Sequence, residues 1–141
     1  MLLFALAFPP VREGMPTVLI VEDHRDTRQM YAEFLSDGFA VLQSSTAEQA
    51  LELLKAQVPD VVITDLSLPG MDGFELISRM RSDERLREVP IICMSGYGGV
   101  AHEEKARQIG SDRVIEKPCL PDDLARTTRE LLREYQDRRR E

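Results

Sequence analysis

The chain has 141 residues, enough for one domain with a proper core and too few for two comfortable ones. Its 25 acidic residues against 18 basic ones leave a formal charge of -7, which repels nucleic acid and anionic membranes. The two cysteines, Cys93 and Cys119, stand at neither zinc nor redox spacing and fit a reducing compartment.

The chain opens on the apolar run MLLFALAFPP, which is shorter than the roughly 18 residues a membrane span requires. Ala5-Leu6-Ala7 resembles a signal cleavage site, but no basic residue precedes the run. Met15 reads as the natural start, so residues 1–14 are expected to be an upstream extension and residues 15–141 the domain.

The first strand is expected over Thr17–Val21, followed by a helix that places Thr27, Met30, Tyr31, Phe34 and Leu35 on one face and ends at Gly38. A second strand, Phe39–Gln43, leads to a helix built on Ala47, Ala50, Leu51 and Leu54 behind a capping box of Ser45 and Glu48. The third strand, Val61–Thr64, enters a loop marked by Pro69, Gly70 and Gly73, after which a helix from about Asp72 buries Phe74 and Ile77. A fourth strand, Ile91–Met94, precedes a helix over about Val100–Ile109, loosened at its entry by Gly96, Gly98 and Gly99. The fifth strand, Arg113–Glu116, precedes a helix that starts at Pro121 and turns Leu124, Thr128, Leu131 and Tyr135 inward. Strand and helix thus alternate, and the unbroken apolar strands predict an α/β, doubly wound parallel sheet covered on both faces.

In such a sheet ligands bind beyond the carboxyl ends of the strands. Here those ends carry Glu22 and Asp23, Asp65, Ser95 and Lys117. Three carboxylates on one edge repel one another unless a cation sits among them, and an all-oxygen site that keeps several waters suits Mg2+. Lys117 and the Ser95 hydroxyl suit an anion held beside that metal. Asp65 is then the nucleophile, a carboxylate able to attack phosphorus and form an aspartyl phosphate, with metal and lysine stabilising the equatorial oxygens. His24 and His102 have no second His or Cys at metal spacing and read as solvated side chains.

The stretches VLIVEDH, VVITDLSLPGMDGFEL, IICMSGYG and VIEKP resemble, in order and spacing, the motifs of response-regulator receiver domains of two-component signalling, over about residues 16–137. The resemblance implies a flavodoxin-like five-stranded sheet in the order 2-1-3-4-5. By position it makes Asp65 the phosphoacceptor. It gives Mg2+ to Asp23 directly, to Glu22 through water, to Asp65, and to the Ser67 main-chain carbonyl. Ser95 and Lys117 would contact the phosphoryl group, and Lys117-Pro118 would be a cis peptide. The partners implied are a histidine kinase or histidine phosphotransfer protein and a downstream protein target, with no direct nucleic acid and no membrane. The protein would be a cytoplasmic, phosphorylatable switch with slow autodephosphorylation rather than a turnover enzyme. Val114 and Cys119 depart from the commonest pattern, which has an aromatic residue at each position. With no rotor at Val114, output is expected to run through Gly96–Gly99 and the fourth helix, and the Tyr97 ring is expected to restrict attacking water.

Two rivals fail on single residues. A haloacid-dehalogenase-type phosphatase needs a second acid two residues after its nucleophile, where this chain has Ser67. A calcium loop starting at Asp65 lacks its bidentate carboxylate, because the twelfth position is Leu76. The remaining alternatives are the excised receiver of a hybrid kinase or larger regulator, and a receiver-like adaptor that works without phosphorylation.

Overall fold

The computed structural model describes residues 14–96 and 99–140. The expected extension therefore lies, except for Gly14, outside the described residues, as do Tyr97 and Gly98 of the glycine-rich segment. Among the described residues five strands, β1 (Thr17–Val21), β2 (Ala40–Ser44), β3 (Val61–Asp65), β4 (Ile91–Ser95) and β5 (Arg113–Glu116), alternate with five helices. These are α1 (Arg25–Leu35), α2 (Ala47–Ala56), α3 (Gly73–Ser82), α4 (Gly99–Gln108) and α5 (Pro121–Arg140). All pairings are parallel and the strand order is 2-1-3-4-5, as expected for a flavodoxin-like sheet.

The pleat sorts alternate residues to opposite faces, so each strand feeds two cores. Leu19, Val62, Ile91 and Cys93 join Ala50, Leu54, Leu76, Ile77, Met80 and Ala106 under α2, α3 and α4. Val18, Ile20, Ile63, Ile92 and Met94 join Tyr31, Leu35, Leu124 and Leu131 under α1 and α5. The unbroken apolar runs in β1, β3 and β4 follow from this double burial.

Local details differ from the expectations where a neighbour competes. β2 begins and ends one residue late, because Phe39 turns into the α1–α5 core and its amide bonds back to Leu35 at 2.9 Å. On α1, Tyr31, Ala32 and Leu35 face the sheet while Met30 and Phe34 remain 39% and 46% exposed, so the apolar stripe is wider than the buried one. The α2 capping box sits one residue later than expected: Thr46 Oγ1 accepts from the Gln49 amide at 3.0 Å, and Gln49 Oε1 accepts from the Ser45 amide at 3.1 Å. His24 caps α1 through Nδ1, which accepts from the Thr27 amide at 3.3 Å. His102 packs edge-on against Phe74, with ring centroids 5.5 Å apart, and the Lys105 ammonium lies 4.3 Å from the same ring. That cluster fastens α4 to α3.

Candidate functional site

The strand order reverses between β1 and β3, which are neighbours in space although β2 separates them in sequence. A crevice at such a switch point is where a doubly wound sheet holds ligands. Glu22 and Asp23 follow β1 directly, and Asp65 ends β3. One carboxylate oxygen from each of the three lies within 4.8 Å of the other two. Glu22 and Asp65 are buried, at 1% and 5% exposure, whereas Asp23 faces solvent. All the donors are hard oxygens, so the pocket could hold a hard cation.

Lys117, one residue beyond β5, crosses to this cluster. Its Nζ donates to Glu22 Oε1 and to Asp65 Oδ2, each at 2.7 Å. Burial raises the Glu22 carboxyl above its usual range, although the hydrogen bond from Lys117, the His24 amide and the lysine charge all pull it back. For Lys117 burial acts against the charge, but the hydrogen bonds to Asp65 and Glu22 and their charges outweigh it and hold the ammonium above the ordinary lysine value. Lys117 is therefore a fixed positive charge between two buried acids.

The backbone around these groups is tied closely. The Lys117 amide donates to Ser95 O at 2.8 Å, which joins the β4 and β5 ends. The Ser67 amide donates to Asp65 Oδ1 at 3.0 Å, so each oxygen of Asp65 has a donor. The Lys117–Pro118 peptide is cis, as the resemblance implied. Ser95 itself is buried at the same edge. Ser67 is exposed next to Asp65, and its carbonyl remains a proposal as a ligand. Val114 is only partly buried and packs against the α2–α3–α4 core.

The supporting roles of three residues escaped the sequence reading. The Arg28 Nη1 donates to the Glu22 carbonyl at 2.9 Å and its Nε to Gln43 Oε1 at 3.3 Å, which holds the acidic corner against β2. Gly73 brings the start of α3 beneath Asp65: a Cβ there would lie 2.2 Å from the Asp65 carbonyl oxygen and 2.7 Å from the Leu66 Cα. Tyr31, two turns along α1, donates from its hydroxyl to the Cys119 carbonyl at 2.8 Å. Bonds to carbonyls leave no mark in hydropathy or motif spacing; only Gly73, inside the PGMDG stretch, carried a visible signal.

The family model described as response regulator receiver domain matches residues 18–129. The chain belongs to this family. The receiver is 36% identical over 122 residues to the probable transcriptional regulator ycf27 of Guillardia theta, covering 86% of this chain and 47% of that protein. It spans about half the length of that relative and of two other curated relatives. It is 34% identical over 110 residues to an uncharacterized 14.6 kDa protein in the sodA1 3' region of Leptolyngbya boryana, covering 77% of this chain and 84% of that one. Among solved structures it is similar to the chemotaxis response regulator CheY4 of Vibrio cholerae, with a TM-score of 0.78, 27% identity, and coverage of 83% of this chain and 98% of that one. Receiver domains are signalling switches, and this one presents its acidic pocket at the switch point of the sheet.

Proposed function

We propose that the receiver takes a phosphoryl group from the phosphohistidine of a histidine kinase or phosphotransfer protein onto Asp65. The observation that carries this reading is the Lys117 ammonium, 2.7 Å from both Asp65 and Glu22 in the crevice between β1 and β3. In the transfer an Asp65 carboxylate oxygen forms the new O–P bond while the donor's P–N bond breaks. The electron pair returns to the imidazole nitrogen, which takes up a proton.

Lys117 then shifts its charge from the carboxylate to a phosphoryl oxygen, and the Ser95 hydroxyl, at the same edge, can meet another. The Ser67 amide, already a donor to Asp65 Oδ1, keeps the carboxylate oriented. Glu22, Asp23, Asp65 and the Ser67 carbonyl are the groups to hold Mg2+, which when bound neutralises charge on the transferring group. Asp65 spends the nucleophile in one turn, and no second acid stands where a phosphatase would have one, so the receiver acts as a switch with slow loss of phosphate. Among the described residues no helix is long and apolar enough to cross a membrane. The reading places the receiver in the cytoplasm, beside a kinase and a downstream protein target.

Intact-mass measurement after incubation with acetyl phosphate and Mg2+ tests the proposal. One added phosphoryl group on the wild type is expected. No added phosphate would favour an adaptor that works by binding alone.

A further inference from the structure

The Lys117 side chain reaches two acids on two other strands, so its main chain must be held where that reach is possible. On the β5 side the hold is the Lys117 amide bond to Ser95 O at 2.8 Å. Beyond it the chain runs Lys117-Pro118-Cys119-Leu120-Pro121, in which two of the next four residues lack an amide hydrogen. Leu120 is 69% exposed and packs little. The second hold comes from outside the segment: the hydroxyl of Tyr31 donates to the Cys119 carbonyl at 2.8 Å. Tyr31 is 3% exposed, locked in the core with Leu35, Leu124 and Leu131, and its ring lines the cavity wall beside Lys117 and Pro118. The helix that carries it, α1, starts two residues after Asp23. A single rigid element therefore touches both halves of the site, the acidic corner at its N-terminus and the lysine loop two turns later.

We propose that Tyr31 is a positioning residue for phosphoryl transfer, acting through the Cys119 carbonyl to keep the Lys117 ammonium on Asp65. This rests on the receiver reading above, since it assigns the lysine its role in that reaction. The proposed tie acts on Lys117 and leaves the metal-holding carboxylates in place. Loss of a single hydrogen bond of this kind should therefore slow phosphorylation about fivefold without lowering Mg2+ affinity. Because Tyr31 works through Lys117, its effect should vanish once the lysine is gone.

The test is a double-mutant cycle in the full chain, with Tyr31→Phe, Lys117→Met and the pair. Phosphorylation by acetyl phosphate is followed at saturating Mg2+, and Mg2+ affinity is measured by calorimetry. Urea unfolding of each variant confirms that it is folded. Tyr31→Phe keeps the ring in the core and removes only the donor. The expected result is an approximately fivefold slower maximal rate in the wild-type background, no further slowing in the Lys117→Met background, and no loss of Mg2+ affinity. An unchanged rate, an equal loss in both backgrounds, or a rate that falls in step with Mg2+ affinity would overturn the proposal. Wild-type protein that takes no phosphate overturns both this inference and the receiver reading. Phosphorylated wild type with an unaffected Tyr31→Phe overturns this inference alone.

Discussion

Replacing Lys117 with Met keeps the aliphatic stem and removes the ammonium, leaving Glu22 and Asp65, 1% and 5% exposed, without their shared counter-ion. Each hydrogen bond lost is to a charged partner, a class that contributes about 1.5–3 kcal/mol. Breaking a fully buried pair costs about 3–5 kcal/mol. A quarter of the lysine side chain is accessible, so solvent screens part of the interaction. The expected loss in metal-free buffer is therefore about 2–4 kcal/mol, read as a lower midpoint in urea unfolding with an unchanged slope. Mg2+ should recover more stability in the variant than in the wild type, because a cation that binds only the folded state stabilises it and no ammonium then competes for the acids. A metal-free loss below about 0.5 kcal/mol, the range of an ordinary surface change, would refute the electrostatic account of the pocket. So would a loss that is identical with and without Mg2+.

Asp23→Asn should leave stability nearly unchanged, because Asp23 is exposed, yet weaken Mg2+. A unit charge about 4 Å from a divalent ion contributes about 2 kcal/mol even in bulk water, so affinity should fall about thirtyfold by calorimetry; an unchanged isotherm contradicts the ligand assignment. Gly73→Ala drives a Cβ to 2.2 Å from the Asp65 carbonyl oxygen, a backbone atom that cannot swing away. It should cost about 1–3 kcal/mol in urea unfolding and slow phosphorylation; an unchanged midpoint refutes the close packing. Burial pushes the Cys93 thiol from 9.0 to about 11. A raised folded value means its contribution to stability is complete below pH 9 and is lost as pH rises toward 11, and Cys93→Ala should flatten that part of the unfolding profile. An equally steep decline in the variant would show that another group titrates there.

The sheet and the gathering of the candidate residues at one edge were legible because both rest on strong signals. Apolar runs four or five residues long mark strands buried on both faces, and each run ends in the polar residue it delivers, Glu22, Asp65 or Ser95, while Lys117 follows the half-buried strand Arg113–Glu116. The parallel order then brings those ends together without further information. What was less legible is set by tertiary neighbours. The α1 stripe includes Met30 and Phe34, but only the sheet decides that Tyr31, Ala32 and Leu35 are the residues it covers. Thr46 and Ser45 are equally good caps by type, and the position of Gln49 selects Thr46. The ties from Arg28 to Glu22 and from Tyr31 to Cys119 end on main-chain carbonyls, an acceptor every residue carries, so no pattern of side chains announces them.

The central claim is that Asp65 carries the phosphoryl group, and mapping the modified residue tests it most directly. Borohydride reduces an aspartyl phosphate to homoserine, so protein treated with acetyl phosphate and Mg2+ can be trapped, digested and sequenced by mass spectrometry. Homoserine at position 65 alone, with none in Asp65→Asn, is the predicted result. Homoserine at Asp23 or another acid, or equal phosphorylation of Asp65→Asn, would contradict it.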